Sequence, residues 1–319
     1  METITGRILI TGALGQIGTE LSTRLSEIYG KDNIVATDIR ETHDYNTAGH
    51  YEVLDVMDFE KARKIVDQYN IKIVYHLASL LSGTAEQKPK LAWMLNIDPL
   101  LFFCDLAKDK IIDQIFWPSS IAVFGKGIPK ENVGQEVPLN PSTVYGITKL
   151  AGEKWCEYYF NKFGVDIRSV RYPGLVSWKA PAGGGTTDYA VEIFYKAIEE
   201  GKYTSFIDEN TAMPMMYMND AINATLQLMH APRESLTVQS SYNLGGMSFT
   251  PKELAAAIQK EIPDFQISYQ PDFRQAIADS WPASIDDSVA KKEWGLSYQF
   301  DMDAMTKDML QHLRTKLGQ

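Results

Sequence analysis

Residues 7–18 read Arg-Ile-Leu-Ile-Thr-Gly-Ala-Leu-Gly-Gln-Ile-Gly, a short apolar run that leads directly into a glycine-rich turn. The apolar run predicts a buried strand, and apolar residues then recur at helical spacing from Ile17 to Ile28. Glycines permit a tight turn and a close approach of the backbone to a pyrophosphate, while a helix N-terminus offers N–H donors and positive potential. The order strand, turn, helix therefore predicts a dinucleotide site rather than a bare turn. Its predicted contacts are Gly12, Gly15, Gln16, Ile17 and Gly18.

Strands and helices alternate through the rest of the first half. The predicted strands after the first are 34–37, 71–77, 115–118 and 166–171, and the predicted helices between them are 59–69, 91–107 and 144–163. Such alternation is typical of a parallel sheet covered by helices, and right-handed crossovers make it doubly wound. The sequence thus predicts an α/β fold, with a Rossmann domain over residues 1–172.

The pattern changes after Tyr172. Residues 178–187 are rich in Gly, Pro and Thr and predict a mobile loop. Helices are predicted at 188–201, 219–229 and 302–317, with a strand at 266–269. Residues 173–319 are expected to form a smaller substrate-binding and lid region, from which a segment near 213–244 returns to the sheet.

Composition limits the classes of function. The chain has 319 residues, 45% of them hydrophobic and 23% charged, which is ordinary for a globular protein. A net charge of −10 argues against a nucleic-acid partner. Apolar runs are shorter than the roughly 18 residues of a membrane span, and Met1–Gly6 does not have the character of a signal peptide.

The cysteines and histidines indicate the compartment and the absence of a metal centre. Cys104 and Cys156 both lie in apolar helical patterns and are predicted to be reduced, buried thiols, which favours a cytoplasmic location. The two cysteines and five histidines lack metal-ligand spacing, so no metal site and no zinc is expected.

Asp38 indicates which dinucleotide is bound. It ends the second predicted strand about twenty residues after Gly18, where a carboxylate accepts the ribose hydroxyls and repels a 2′-phosphate. The neighbours Ile39 and Arg40 are further predicted contacts. Although Arg40 places a cation nearby, Asp38 favours NAD over NADP.

Further cofactor contacts are predicted at later strand ends. Asp55 and Val56, between the predicted strands 34–37 and 71–77, are similar to an adenine-edge contact. The strand 71–77 ends at Leu77-Ala78-Ser79, on the carboxyl edge where such sheets bind ligands. His76, inside that strand, is predicted to be a hydrogen-bonded core histidine rather than a catalytic one.

Tyr145 and Lys149 lie four residues apart, on one face of the predicted helix 144–163. A cation beside a phenol favours the phenolate, and lowering the tyrosine pKa by roughly 3 units takes about 4 kcal/mol. A unit charge at about 4 Å supplies about that much at an effective dielectric near 20. The pair is a sufficient general base, although the same spacing also occurs on solvated helix faces.

Together these parts resemble the extended short-chain dehydrogenase/reductase family. The matching parts are the glycine turn, Asp38, 76–79, Asn96, 118–120, and Tyr145 with Lys149. The second half is similar to the L-threonine 3-dehydrogenases of that family, which are related to UDP-galactose epimerases, in the segments 171–178, 181–190, 213–218 and 243–251. The resemblance implies NAD-dependent oxidation of L-threonine to 2-amino-3-ketobutyrate.

The resemblance also implies roles for individual residues. Tyr145 would take the proton of the substrate hydroxyl, and Lys149 would hold the nicotinamide ribose and lower the tyrosine pKa. Ser120 would orient the hydroxyl, with Ser119 as the competing candidate. Asn96 would fix local backbone near the cofactor. The remaining expected contacts are Tyr172 and Leu175 for the cofactor, and Ser82, Ser120, Tyr145, Gly185, Thr186, Thr187 and Trp281 for the substrate.

The sequence leaves two interpretations open for Trp281 and for the helix 91–107, and it makes simpler predictions for three further features. Trp281 either caps the pocket or belongs to the core. The helix 91–107 is too apolar for a one-sided surface helix, so it either forms a homodimer interface with the Tyr145 helix, as is usual in the family, or packs on the sheet. The cluster 213–218 is predicted to be core. Asp188 and Asp220 are predicted as helix caps or first-turn carboxylates.

Two other functions fit the first half of the chain. One is a nucleotide-sugar isomerase or dehydratase, which predicts basic contacts in the second half, where Lys and Arg are sparse near the Gly-rich loop. The other is a non-catalytic dinucleotide sensor, a class that typically lacks the Tyr/Lys pair. Fold by itself does not separate these functions.

Overall fold

A computed structural model describes residues 5–42, 47–179 and 183–318. The strands are β1 (Arg7–Thr11), β2 (Ile34–Asp38), β3 (His50–Val53), β4 (Ile71–His76), β5 (Gln114–Phe116), β6 (Ser119–Ser120), β7 (Asp166–Arg168), β8 (Val170–Tyr172), β9 (Gly174–Val176), β10 (Lys202–Ser205), β11 (Met213–Tyr217), β12 (Tyr242–Asn243), β13 (Met247–Phe249) and β14 (Gln266–Tyr269). The helices are α1 (Gln16–Tyr29), α2 (Phe59–Gln68), α3 (Ser82–Gln87), α4 (Pro89–Lys108), α5 (Val144–Phe163), α6 (Tyr189–Glu200), α7 (Met218–His230), α8 (Pro251–Glu261), α9 (Phe273–Ala278), α10 (Ser288–Trp294) and α11 (Met302–Leu317).

The central sheet is parallel and has six strands in the order β3-β2-β1-β4-β5-β7. Strand β1 pairs with β2 on one side and with β4 on the other, so the order reverses there. Successive residues such as Ile8 and Leu9 are both fully buried, which means that both faces of β1 are covered. The predicted doubly wound α/β fold is confirmed, and its reversal point places the ligand crevice at the carboxyl ends of β1 and β4.

The chain forms two compact units, each built from several stretches. The first comprises Met1–Ser119, Thr143–Arg171 and Thr225–Tyr242, and the second comprises Ser120–Ser142, Tyr172–Ala224 and Asn243–Gln319. The sequence predicts one domain through residue 172 with a return near 213–244. In the structure, residues 120–142 belong to the second unit instead, and the stretch that returns to the first unit is 225–242.

A buried arginine fixes the returning stretch. The Nη1 group of Arg168 donates to the backbone oxygens of Leu228, Met229 and Ala231, at 2.6, 3.0 and 2.7 Å. The last carbonyls of a helix have no partners within the helix, so a guanidinium satisfies them well. Arg168 thereby attaches the C-terminal end of α7 to the strand β7.

The second unit contains two small sheets, β13-β11-β9 and a parallel pair β10-β14; β12-β8-β6 form a further sheet. The methionines of β11 are buried, so the prediction that residues 213–218 are core is confirmed. Of the predicted loop 178–187, residues 180–182 lie outside the described ranges, as do Pro181 and Ala182 of the family motif. Within those ranges no helix is long and apolar enough to cross a membrane.

Candidate active site

The glycine turn is packed so closely that side chains do not fit. Gly12 has a φ of +69°, and a Cβ there would lie 2.9 Å from the backbone nitrogen of Ala78. A Cβ on Gly18 would lie 2.3 Å from the Gly12 oxygen. The turn therefore lies directly against the residues that follow β4, as only glycine allows.

The N-terminus of α1 is suited to an anionic group. Its N-cap residue is Gly15, which has no side chain that could cap the helix, and the first turn carries no acidic residue. The positive end of the helix thus has no side-chain counter-charge of its own, which is the arrangement that binds a pyrophosphate. The residues present fit the phosphates of a dinucleotide.

Thr11 organises the adjoining strand end, a role that the sequence did not reveal. Its Oγ1 lies 2.8 Å from His76 Nδ1 and accepts hydrogen bonds from the backbone N–H groups of Leu77 and Ala78 at 3.2 and 3.3 Å. Burial, with a smaller contribution from the Lys149 charge, lowers the pKa of His76 to about 3. The prediction of a hydrogen-bonded core histidine is confirmed.

Asp38 lies at the end of β2, where the sequence places it. Its side chain is 7% exposed, and its Oδ2 accepts a hydrogen bond from the backbone N–H of Leu14 in the glycine turn at 3.0 Å. Burial raises the pKa of Asp38, but hydrogen bonds from Arg40 and Leu14 outweigh burial, so the pKa lies below its ordinary value. The next residue, Ile39, is 64% exposed.

Asp55 and Val56, which follow β3, differ in their exposure. The Asp55 carboxylate accepts a hydrogen bond from the backbone N–H of Met57 at 3.0 Å and is exposed, whereas Val56 is buried in the core of the first unit. Their contact with adenine stays a prediction.

Asn96 holds the segment that follows β4. Its Oδ1 accepts from the backbone N–H of Leu80 at 2.8 Å, and its Nδ2 donates to the Leu80 oxygen and to Thr148 Oγ1. The expectation that Asn96 fixes local backbone is met by these three bonds, and direct contact with the cofactor stays a prediction. The segment leads to Ser82, the first residue of α3, which is half-buried.

Helix α5 carries the Tyr/Lys pair. Thr143 caps it by accepting a hydrogen bond from the Gly146 N–H at 3.0 Å. Lys149 is buried, and its Nζ donates to the Pro118 oxygen at 2.7 Å. The same Nζ lies 4.5 Å from the ring centre of Trp117 and 5.4 Å from that of Tyr145. Amine and phenol therefore lie on one face of the helix, as the spacing predicts.

The environment of Lys149 changes its acidity. Burial lowers the pKa of Lys149 to about 7, against the opposing influence of Cys156 and Glu153. Removing an ammonium from water penalises the charged form, and the Glu153 carboxylate only partly compensates. The amine therefore changes its charge near neutral pH.

A buried ion pair lies one helical turn further along α5. Glu153 binds Arg171 through two contacts of 3.0 and 2.9 Å, and Glu153 Oε1 also accepts a hydrogen bond from Ser119 Oγ at 2.6 Å. All three side chains are nearly inaccessible. Glu153 was not among the residues predicted from the sequence, although its position four residues after Lys149 places it on the same helix face.

The two candidate serines differ in their hydrogen bonds, since only Ser119 is bonded to this ion pair. The Ser119 proton is donated into the buried carboxylate, so this hydroxyl serves the ion pair. Ser120 is half-buried, and its Oγ accepts a hydrogen bond from the Ala122 N–H at 3.2 Å, which uses no hydroxyl proton. A hydroxyl that accepts one bond keeps its own donor, so the O–H group of Ser120 is not used in this bond. Its contact with a substrate oxygen stays a prediction.

The other predicted substrate and cofactor residues belong to the second unit. Tyr172, Thr186 and Trp281 are buried there, while Leu175, Gly185 and Thr187 are half-buried. The Thr187 side chain lies against Gly174, where a Cβ would come within 2.6 Å of it. Their contacts with ligands stay predictions.

The two aspartates predicted as helix caps or first-turn carboxylates both lie at helix starts. Asp188 stands at the N-cap of α6 but makes no side-chain capping bond; its Oδ2 instead accepts from the Gly185 N–H at 2.7 Å, which closes the end of the Gly-rich loop. Asp220 is a first-turn carboxylate of α7, and it accepts hydrogen bonds from the backbone N–H groups of Gln299 and Phe300.

In the described part of the chain, no group of three or more His, Cys, Asp or Glu residues could hold a metal ion.

Comparisons with known proteins identify the family of this chain. Residues 8–245 match the NAD dependent epimerase/dehydratase family. The chain is 49% identical over 313 residues to an uncharacterized epimerase/dehydratase from Staphylococcus haemolyticus (strain JCSC1435), covering 97% of this chain and 98% of the relative.

Solved structures are similar along nearly the whole chain. A GalE-like L-threonine dehydrogenase from Cupriavidus necator, in its holo form, is 50% identical with a TM-score of 0.94 and covers 96% of this chain and 99% of its own. A monomeric L-threonine 3-dehydrogenase from a metagenome is 49% identical with a TM-score of 0.94, covering 98% and 100%. The chain therefore belongs to the NAD-dependent epimerase/dehydratase family of extended short-chain dehydrogenases/reductases, and its cofactor is NAD.

Proposed function

We propose that this enzyme oxidises the 3-hydroxyl of L-threonine to give 2-amino-3-ketobutyrate. The observation that carries the proposal is the near-full-length similarity, at about half of all positions, to structures described as L-threonine dehydrogenases. The buried Lys149 beside Tyr145 supports an alcohol oxidation.

In the proposed reaction, Tyr145 as phenolate accepts the proton of the threonine hydroxyl. The C–O bond becomes a carbonyl as the hydrogen on C3 leaves with its electron pair. NAD, when bound, supplies the acceptor for that hydride. Tyr145 would thus hold the proton of the hydroxyl, and bound NAD would take the hydride.

Lys149 sustains the base. Its hydrogen bond to the Pro118 oxygen fixes the amine close to the phenol ring. In its charged form the amine favours the phenolate over the phenol, because opposite charges attract strongly where water is scarce. Its position also suits a hydrogen bond to the nicotinamide ribose.

The remaining roles follow the sequence expectations. Ser120 donates a hydrogen bond that orients the hydroxyl. Threonine is zwitterionic, so its site needs partners for both charges; we assign these to Ser82 and to the backbone and hydroxyl groups of Gly185, Thr186 and Thr187, with Trp281 as an apolar wall.

We further propose that the enzyme is a cytoplasmic homodimer. Large apolar side chains are exposed along the two helices α4 and α5, namely Leu91, Trp93, Met94, Ile147, Trp155 and Tyr158. Soluble monomers seldom expose so many neighbouring apolar side chains. A cytoplasmic location agrees with Cys104 and Cys156, which are free and buried.

Substrate identity is tested by incubating the purified protein with NAD and either L-threonine or UDP-galactose. NADH absorbance and sugar products are followed in parallel. We expect NADH with threonine and no interconversion of the sugar. Sugar epimerisation without NADH from threonine would replace the proposal with the nucleotide-sugar alternative.

The base is tested by Tyr145→Phe, which removes the hydroxyl and keeps the ring. Turnover should fall by roughly 100-fold or more, while NADH binding stays within about threefold. Tyr158→Phe is the matched control, because this tyrosine lies on the same helix with an exposed ring. Equal turnover in the two variants would remove Tyr145 from the role.

A further inference from the structure

The Asp38 carboxylate is already saturated with hydrogen bonds from the protein. Its Oδ1 accepts from the backbone N–H of Arg40 at 3.2 Å and from Arg40 Nε at 2.9 Å. Its Oδ2 accepts from the backbone N–H of Leu14 at 3.0 Å and from Arg40 Nη2 at 3.2 Å. A carboxylate has about four lone-pair positions, so all of them are used.

A ribose can reach this carboxylate only after two of those donors leave. The two backbone donors are fixed, because Leu14 belongs to the tightly packed glycine turn and the Arg40 amide to the chain directly after Asp38. The Arg40 side chain, in contrast, is 58% exposed. The Arg40 guanidinium makes two N–H contacts with Asp38, and a ribose presents two hydroxyls. We therefore expect the ribose to displace the guanidinium.

The displaced guanidinium stays within one side-chain length of Asp38, since the Arg40 backbone stays hydrogen-bonded to that carboxylate. The backbone is held a second time by Tyr51, whose hydroxyl donates to the Arg40 oxygen at 2.6 Å. A fork of N–H donors tethered beside the ribose is the arrangement that recognises phosphate.

We propose that Arg40 is a specificity-determining residue of the cofactor site: its guanidinium competes with the ribose hydroxyls of NAD for Asp38 and is a masked binding group for the 2′-phosphate of NADP. Asp38 then has two effects. It repels the phosphate, and it neutralises the cation that would bind the phosphate. The inference concerns the cofactor alone and does not depend on the substrate.

Binding of NADH and NADPH to the full-length protein, followed by cofactor fluorescence without substrate, tests the proposal. Asp38→Asn keeps the size of the side chain and an acceptor for the Leu14 N–H, but it releases Arg40. We expect NADPH to bind at least about tenfold tighter to this variant than to the natural chain, because a charge-assisted contact becomes available. Adding Arg40→Gln in the double variant should remove most of that gain.

Two further variants sharpen the measurement. Arg40→Gln alone should bind NADH as tightly as the natural chain or up to severalfold tighter, since a competitor is lost. Asp38→Asn combined with Arg24→Gln removes a half-exposed cation elsewhere in the same unit and should retain the NADPH gain. The Arg40→Gln result is independent of whether the Asp38 variants fold, which thermal melting checks.

The results that would overturn the proposal are specific. Equal NADPH affinity of Asp38→Asn with and without Arg40 would show that the arginine does not read the phosphate. If Arg40→Gln alone weakens NADH binding by more than about threefold, Arg40 holds NAD instead of competing with it.

Discussion

Lys149 combines a fully buried position with a charge that matters for the proposed chemistry. Its pKa is about 7, lowered by burial from an ordinary value of 10.5. Below pH 7 the folded and unfolded chains both carry the proton, and the folded state bears the full cost of a buried charge. Between pH 7 and 10.5 only the unfolded chain binds the proton, so the free energy of unfolding rises with pH in this window.

We therefore expect Lys149→Met to remove this rise. The variant should be more stable than the natural chain at pH 6.5, and the difference should shrink by roughly 1 kcal/mol per pH unit from pH 7 to 9. Urea denaturation at several pH values measures it, with the exposed Lys162→Met on the same helix as control. Parallel stability profiles for the natural chain and Lys149→Met would show that the amine does not titrate in this range.

The two adjacent serines should respond in opposite ways to removal of their hydroxyls. Ser119→Ala removes a hydrogen bond to the buried Glu153 carboxylate and should cost about 1.5–3 kcal/mol of stability, with turnover of the folded enzyme within about twofold. Ser120→Ala should cost about 1 kcal/mol or less and lower turnover at least about tenfold. Thermal melting and threonine-dependent NADH formation measure both. A turnover loss confined to Ser119→Ala would reverse the assignment.

At the scale of elements, helix α5 is the support of the site. Its start is held by the Thr143 cap and by Glu86, whose carboxylate accepts from the Val144 N–H at 2.6 Å. It ends at Gly164, which adopts a left-handed conformation. The helix is thereby fixed at both ends, and the side chains between them keep their places.

Gly152 sets how closely α5 approaches Trp117, the ring on which the Lys149 amine lies. A Cβ at Gly152 would lie 2.3 Å from Trp117 Cη2 and 2.5 Å from Cζ2. Gly152→Ala should therefore destabilise by about 1–3 kcal/mol and lower turnover, because overpacking outweighs the gain of about 1 kcal/mol in helix propensity. Thermal melting and turnover measure the two effects.

The same contact offers a rescue and a control. Phenylalanine lacks the outer indole atoms, so Gly152→Ala with Trp117→Phe should recover part of the lost stability. Gly134→Ala is the control, since a Cβ there meets nothing within 4 Å. If the double variant is no more stable than Gly152→Ala, the indole is not the source of the strain.

At the scale of the molecule, the sequence predicted features that depend on neighbours in the chain. The glycine turn, Asp38 and the Tyr145/Lys149 face follow from spacing, because strand, turn and helix geometry converts short separations into fixed positions. The strand-helix alternation likewise predicted the parallel sheet. These features needed no knowledge of contacts between distant segments.

Features that depend on distant partners were not predictable in this way. The Glu153–Arg171 pair joins residues 18 positions apart, and Thr11 meets His76 across 65 positions. Any buried carboxylate could pair with several arginines in the sequence, so composition does not select one. For the same reason, the sequence did not predict that residues 120–142 belong to the second unit. Their hydrogen-bond partners, such as Ser284 for Val133, come much later in the chain.

The exposed apolar residues of α4 and α5 bear on the assembly of the whole molecule. Two copies of a chain with a net charge of −10 repel each other, and salt screens that repulsion. Dimerisation through an apolar interface is therefore favoured more as the ionic strength rises. The metagenome relative described as monomeric makes the single chain a realistic competing state.

We expect the natural chain to sediment at twice the chain mass at micromolar concentration. Trp93→Glu on α4 and Tyr158→Glu on α5 should each shift it to the chain mass, because a charge buried in an apolar interface is costly. Phe273→Glu, at the most exposed large apolar side chain of the second unit, should leave the dimer intact and controls for added charge. A natural chain that sediments as a monomer, or dissociation by Phe273→Glu alone, would contradict an interface on α4 and α5.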